Sequence, residues 1–282
     1  MDRKEIMKKV SRVVIKVGTN VLTEPDHRLD ISIMEHLGEQ LCWLMEKKKK
    51  VVLVTSGAIG AGMHILGWKR RPRQIEKLQA AASVGQSRLM RFYERIFREE
   101  GRNVGQMLLT RDICDSPIRM ASARLTLETL LQYGIVPIIN ENDAIADEEI
   151  SGKFSDNDSL SVLVVKLLNA DMLLLLSNVD GFYCTDPRTD RSARLLCEVR
   201  TISSELKKTV CKAGPSEGGT GGMSTKLSAI EEVLEMGKPC VLANGKRPWV
   251  IREIFNGKKV GTLFSLDKEE KKNPSKKVSC RK

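Results

Sequence analysis

The amino-acid sequence predicts an α/β fold, a three-layer α/β/α sandwich with a mostly parallel central sheet. Three observations predict it. Short β-branched runs alternate with longer helical segments along most of the chain. The run Met172 to Leu176 is apolar at every position, as expected of a strand covered on both faces. The 282 residues are 41% apolar but only 4% aromatic, so a large core is expected to rest on Leu, Ile, Val and Met.

The elements follow in order. Val13 to Val17 reads as a strand, and Ile33 to Lys48 as an amphipathic helix with Leu37, Leu41, Leu44 and Met45 on one face. Val51 to Thr55 is a second strand, leaving into the glycine-rich stretch Ser56 to Gly62. A long helix is expected over Gln74 to Glu100, where Ala80, Ala81 and Ala82 permit close packing, followed by a strand from Val104 to Leu109. Ala121 to Tyr133 reads as a helix closed by Gly134, a residue suited to a left-handed C-terminal position. Ile135 to Ile139 is a strand despite Pro137, Ser159 to Leu168 a helix, and Met172 to Leu176 the central strand. A helix over Thr225 to Met236, a strand over Cys240 to Ala243 and a last piece from Val260 to Phe264 complete the pattern.

Composition narrows the function classes. Lys166 and Asp171 interrupt the most hydrophobic region, Val162 to Leu176, so no stretch reaches the roughly 20 apolar residues of a membrane span. The first apolar run contains Lys16 and is too short for a signal peptide; a cytoplasmic protein is expected. Seven cysteines, Cys42, Cys114, Cys184, Cys197, Cys211, Cys240 and Cys280, form no CxxC pair and are read as reduced, mostly buried and non-catalytic. His27, His36 and His64 fall in no nucleophile or metal pattern. The net charge of +11 is concentrated in clusters such as Lys47 to Lys50, Lys69 to Arg73, and a tail from Asp267 with seven basic against three acidic residues. These clusters lack interleaved aromatics that stack bases, so solvated surface charge is expected rather than nucleic-acid binding.

In parallel sheets ligands sit beyond the carboxyl ends of the strands, so the chemistry is sought in the loops there. Lys16 stands inside an apolar strand and must reach solvent at an edge or meet an anion; Gly18 beside it lets a phosphate approach the backbone. Ser56 to Gly62 offers backbone N–H groups at a helix start, an anion site that matches neither GxGxxG nor the P-loop. Asn140, Glu141, Asn142 and Asp143 follow the strand ending at Ile139, and Phe154 to Asp158 opens a helix; together they hold more polar groups than capping requires. Gly218 to Lys226 places four glycines, hydroxyls and a lysine before a helix, in physical terms a phosphate cradle. Two lysines near phosphates with an acidic residue between them suit phosphoryl transfer.

These segments together resemble the amino acid kinase family. The resemblance runs from about Arg12 to Phe264 and is carried by VVIKVGTNVLT, VVLVTSGAIGAG, VGQSRLM, VGQMLLTRDI, IVPIINENDAI, DGFYCTDPR and GTGGMSTKLSA. It implies a kinase domain over residues 1–266, with an acid-binding N-terminal half and a nucleotide-binding C-terminal half, and a basic, disordered tail over 267–282. Within the family the match is to the branch that phosphorylates the γ-carboxylate of L-glutamate with ATP and Mg²⁺, the metal being carried by the nucleotide, at the opening of proline biosynthesis.

Carried over by position, the resemblance makes Lys16, Asp158 and Lys226 catalytic, the lysines flanking the transferred phosphoryl and the aspartate holding them. Ser56, Gly57, Ala58, Asp143 and Asn157 correspond to acid-binding positions. Lys16, Ser177, Asn178 and the stretch Thr220, Gly221, Gly222, Met223, Ser224, Thr225 and Lys226 correspond to nucleotide-binding ones. Ser177-Asn178 replaces a common Thr-Asp and Ser159 a common Asn, departures that bear on nucleotide and acid contacts. The resemblance further implies a homo-oligomer, a dimer or tetramer, and a glutamate-5-semialdehyde dehydrogenase consuming the acyl phosphate product. Many relatives carry a C-terminal PUA domain; none is expected within these residues. The alternatives are a kinase for N-acetylglutamate, aspartate or carbamate, and a nucleotide sensor without turnover. Asp143 beside Asn142 favours a free α-ammonium, and the presence of all three of Lys16, Asp158 and Lys226 favours turnover.

Overall fold

The computed structural model describes residues 2–145, 157–203, 206–207 and 222–266. An N-terminal helix, α1 (Arg3–Lys9), leads into β1 (Arg12–Val17), the short α2 (Thr19–Leu22), α3 (Ile31–Glu46), β2 (Lys50–Val54), α4 (Ala58–Ile65), α5 (Ile75–Glu99) and β3 (Val104–Leu109). A 3-10 turn, Arg111–Asp115, precedes α6 (Pro117–Gln132), β4 (Val136–Glu141), α7 (Asn157–Leu168) and β5 (Met172–Ser177). A small hairpin, β6 (Phe182–Tyr183) with β7 (Leu195–Leu196), is followed by β8 (Glu198–Val199), α8 (Met223–Glu235), β9 (Cys240–Asn244), α9 (Val250–Phe255) and β10 (Thr262–Phe264).

Eight strands form one sheet in the order β3-β4-β2-β1-β5-β9-β10-β8, parallel except where β10 meets β9. The chain starts in the middle with β1, moves outward on one side to β2, and returns to the other side with β5. The order therefore reverses around β1, and the carboxyl ends of β1, β2 and β5 open a crevice there.

Side chains that alternate along β1 feed two cores. Val13, Ile15 and Val17 belong to one with Leu37, Leu41, Tyr93, Phe97 and Ile254; Val14 belongs to the other with Val164, Leu173, Leu175 and Ile230. Helices α3, α5 and α9 cover the first face, and α6, α7 and α8 the second, which is the expected three-layer sandwich. All six positions of β5 are buried, as its unbroken apolar sequence predicts.

Local chemistry explains the boundaries. Asp30 accepts a hydrogen bond from the Ile33 N–H at the start of α3, and Met34, Leu37, Leu41 and Leu44 turn inward from it. α6 begins at Pro117 rather than at the expected Ala121, because Ser116 caps the Arg119 N–H and proline is pre-shaped for the first helical position. Gly134 has φ of 69°, the left-handed geometry expected after α6. Helices α4 and α5 cross almost backbone to backbone: a Cβ on Gly62 would lie 1.8 Å from the Ala81 carbonyl oxygen, and one on Gly85 1.8 Å from that of Ala58. The close packing expected around Ala81 is there, with glycine on both helices making it possible.

Two expectations need correction. Asn140 and Glu141 are the last two residues of β4, not a loop after it, because both pair with β3 opposite Leu108 and Leu109. The cysteines are not mostly buried: Cys42 and Cys240 are, whereas Cys114, Cys184 and Cys197 are exposed, since they fall in turns and short edge elements rather than on apolar stripes. Cys211, Cys280 and the basic tail from Asp267 lie outside the described residues.

Candidate active site

Alternation along β1 sends Val14 and Lys16 to the same face, so the lysine points at the layer of α7. β1 is central, and Lys16 has no route to solvent at an edge. It meets an anion instead: its Nζ lies 2.6 Å from Oδ1 of Asp158, in the first turn of α7. Asp158 is fully buried, and its other oxygen accepts from Lys226 Nζ at 3.3 Å and from Thr225 Oγ at 3.3 Å, both in the first turn of α8. Residues 16, 158 and 226 thus close into one cluster at the crevice.

Burial alone would raise the Asp158 carboxyl; the ammonium groups of Lys16 and then Lys226 outweigh it and hold the pKa down at about 2. Its seat in the first turn of α7 adds the favourable end of the helix dipole. Two ammonium groups around one carboxylate leave an excess positive charge in a nearly dry setting, an arrangement that favours a polyanion such as a phosphate chain. A Cβ on Gly18 would stand 3.7 Å from Lys16 Nζ, so the glycine leaves the approach to that ammonium open.

Next to this charged cluster runs a chain of neutral polar groups. Asn157, adjacent to Asp158, points its Nδ2 at the Thr55 carbonyl (2.9 Å), Ser56 Oγ (2.9 Å) and Asn140 Oδ1 (3.0 Å). Asn140 Nδ2 in turn donates to Gln86 Oε1 at 2.8 Å. Gly57 adopts φ of 97°, a conformation glycine takes without strain, and this turns the chain so that α4 starts at Ala58 with its free N–H groups at the crevice. Gln86, Ala58, Glu141, Asn142 and Asp143 help line a cleft of about 180 Å³, a size suited to a small acid. Asp143 is itself buried there, and its carboxylate acts on the Arg71 guanidinium, whose pKa desolvation lowers.

On the other flank, Ser177 ends β5 and is buried, with the exposed Asn178 after it. The Ser177 carbonyl accepts from the Gly245 N–H at 2.8 Å, tying the ends of β5 and β9 together. Gly222 precedes α8 in extended geometry and is followed by Met223, Ser224 and Thr225 in its first turn. Thr220 and Gly221 lie outside the described residues.

A family model described as the amino acid kinase family matches residues 11–244, most of the chain and all of this crevice. The chain belongs to the amino acid kinase family. Within that family it is 46% identical, over 95% of its length, to a glutamate 5-kinase of Listeria monocytogenes serotype 4a, of which it covers 97%. It is also 46% identical to a glutamate 5-kinase of Geobacter sulfurreducens, covering 71% of that longer protein. Solved structures share the fold at low identity. The UMP kinase of Bacillus anthracis superposes with a TM-score of 0.61 at 18% identity, covering 92% of this chain and 97% of that one. The isopentenyl phosphate kinase of T. acidophilum superposes with a TM-score of 0.60 at 16% identity, over 90% and 99%.

For an amino acid kinase, sequence reasoning singled out both sides of the crevice but missed its connecting pieces. The Thr55 hydroxyl paired with Tyr93 at 2.8 Å and the amide of Gln86 were not anticipated. A signal for Gln86 existed. It sits on the buried stripe of α5 with Leu78, Ala82, Leu89 and Tyr93, where an amide is out of place unless it has a polar partner.

Proposed function

We propose that this protein transfers the γ-phosphoryl group of ATP to the γ-carboxylate of L-glutamate, forming L-glutamyl 5-phosphate and ADP, the reaction that opens proline biosynthesis. One observation carries the reading: a buried carboxylate is held between two lysines beside an amide-lined cleft. The near-half identity to glutamate 5-kinases along the chain supports glutamate as the acid.

In this reading Lys16 and Lys226 neutralise the phosphoryl oxygens while Asp158 fixes where both ammonium groups stand. An oxygen of the γ-carboxylate attacks the γ-phosphorus, and the bond to the β–γ bridging oxygen breaks with its electron pair leaving on ADP. The attacking carboxylate, with an ordinary pKa of about 4.3, is already ionised at neutral pH, so no general base is needed. Ser56, the N–H groups of Gly57 and Ala58, Asn157 and Asp143 hold the acid, with Asp143 facing its ammonium. Ser177, Asn178 and the segment from Thr220 to Lys226 hold the nucleotide, which assigns the N-terminal half of the domain to the acid and the C-terminal half to ATP. Mg²⁺ bound to the phosphates would supply further neutralisation; the one carboxylate in the lysine cluster is engaged by the lysines, so the ion would rest on phosphate oxygens.

The product is a labile acyl phosphate, which calls for a reductase such as glutamate-5-semialdehyde dehydrogenase close by. A homo-oligomer is proposed on the exposed Ile118, Leu125 and Tyr133 in and just after α6, beside β3 at the rim of the sheet. A cytoplasmic location is proposed; among the described residues no helix is long and apolar enough to cross a membrane.

The test is ADP release with Mg-ATP and glutamate, N-acetylglutamate or aspartate, with hydroxylamine present to trap acyl phosphate. Hydroxamate formed with glutamate alone is expected. Turnover only with another acid would move the acceptor, and ATP binding without turnover would make the chain a sensor.

A further inference from the structure

Gln86 comes from the VGQSRLM segment, to which neither the site assignment nor the proposed mechanism gives a role. It stands on α5 against the cleft, only 9% exposed. Its amide orientation is dictated by its neighbours. Asn140 Oδ1 accepts from the Glu141 backbone N–H at 2.9 Å and from Asn157 Nδ2 at 3.0 Å, so Asn140 must present its Nδ2 to Gln86. Gln86 must answer with its oxygen, and does so at 2.8 Å. Its Nε2 is thereby fixed on the other side, buried and without a hydrogen-bond partner among the described residues. A buried amide N–H left unsatisfied is unfavourable, so a ligand that accepts from it gains the hydrogen bond the protein withholds.

The place of this donor decides what it would meet. From Asp158 the path leads to the adjacent Asn157, then to Asn140, then to Gln86, so Gln86 is the far end of the chain from the lysine pair. The carboxylate to be phosphorylated belongs at the lysine end. The cleft around Gln86 is also lined by Glu141 and Asp143, which suit a cation rather than an anion. An α-amino acid brings both charges to that end, an ammonium for the acidic residues and a carboxylate needing donors.

We propose that the Gln86 side-chain N–H donates to the α-carboxylate of the bound acid, making Gln86 a substrate-binding residue that selects acids carrying that group. The inference rests on the proposed glutamate kinase activity, and its test separates the two. Gln86→Glu keeps an oxygen for Asn140 Nδ2 and the shape of the side chain but replaces the donor with a second acceptor. Gln86→Met removes both polar atoms at similar volume.

Steady-state kinetics at pH 8 would be read for glutamate and ATP, together with inhibition by 4-aminobutanoate, which is glutamate without its α-carboxylate. In Gln86→Glu the KM for glutamate is expected to rise about tenfold to a hundredfold, as for loss of a hydrogen bond to a charged group. The KM for ATP and the inhibition constant of 4-aminobutanoate stay within about twofold, while Gln86→Met, as a folded control, shows the same glutamate defect. A glutamate KM unchanged in Gln86→Glu, or an equal loss for 4-aminobutanoate, overturns the inference and leaves Gln86 as a prop for Asn140. Wild-type protein that forms no hydroxamate from glutamate overturns the activity itself, whatever the variants do.

Discussion

The two sides of the crevice are built from opposite materials. On the side proposed for the nucleotide, three charged side chains meet: Lys16, Asp158 and Lys226. On the side proposed for the acid, a run of neutral groups, Ser56, Asn157, Asn140 and Gln86, is linked by side-chain hydrogen bonds. The difference follows from what each side must handle. A phosphoryl group in transfer spreads negative charge over its oxygens, and fixed positive charge stabilises it best in a site that excludes water. A small acid needs a fixed place, which neutral hydrogen bonds can give at little desolvation cost, and the buried carboxylates on that side, Glu141 and Asp143, are left for a positive group of the ligand. The charged side should therefore govern rate and stability, and the neutral side affinity.

The sharpest way to break that comparison is Asp158→Ala. It leaves two buried ammonium groups facing each other, and a stability loss of about 3–5 kcal/mol is expected in urea melts along with loss of turnover. A melt that matches wild type would show that the lysines do not need the carboxylate. Second in size is Lys226→Ala, for which kcat should fall about 10²–10³-fold while KM for glutamate changes little. A normal kcat would remove Lys226 from the phosphoryl step.

Asp143→Ala tests the other side. Loss of the group proposed to face the ammonium should raise the glutamate KM about tenfold or more and spare kcat at saturation; an unchanged KM would contradict that assignment. The smallest effect concerns acid. Because the folded pKa of Asp158 lies below its unfolded value, its contribution is complete above about pH 4 and is lost as pH falls from there toward 2. Melts between pH 6 and 3 should show wild type losing stability, on the order of 1 kcal/mol over that window, more steeply than Asp158→Asn. Parallel curves would place the acid sensitivity elsewhere.

Much of this could be read along the chain, and what could not has identifiable causes. The long helices and the central strands announce themselves through periodicity: α3 by Leu37, Leu41 and Leu44, β5 by its unbroken apolar run. The helices α1 and α9, seven and six residues long, carry too few turns to show a face, and they exist because Met7, Ile251 and Ile254 drop into the core. β8 is two residues long and is a strand only because β10 pairs with it. In the site, Lys16 and Ser56 stood out as polar residues at strand ends. Gln86 did not, because one amide on an apolar helix face is meaningful only once its partner is known.

By itself the sequence determined the layers, the strands of the central sheet and the residue types that bring phosphoryl chemistry, because apolar periodicity and glycine placement act over a few residues at a time. The alanines of α5 announced a close helix contact, while the part Gly62 and Gly85 play in it showed only once α4 and α5 were seen together. Only the tertiary structure decided that Asp158 is shared by Lys16 and Lys226, and that Asn140 fixes which way the Gln86 amide is turned beside the cleft. Those contacts join residues 54 to 142 positions apart. They exist because the strand order reverses at β1, which brings the start of α7, the start of α8 and the end of β4 to the same crevice.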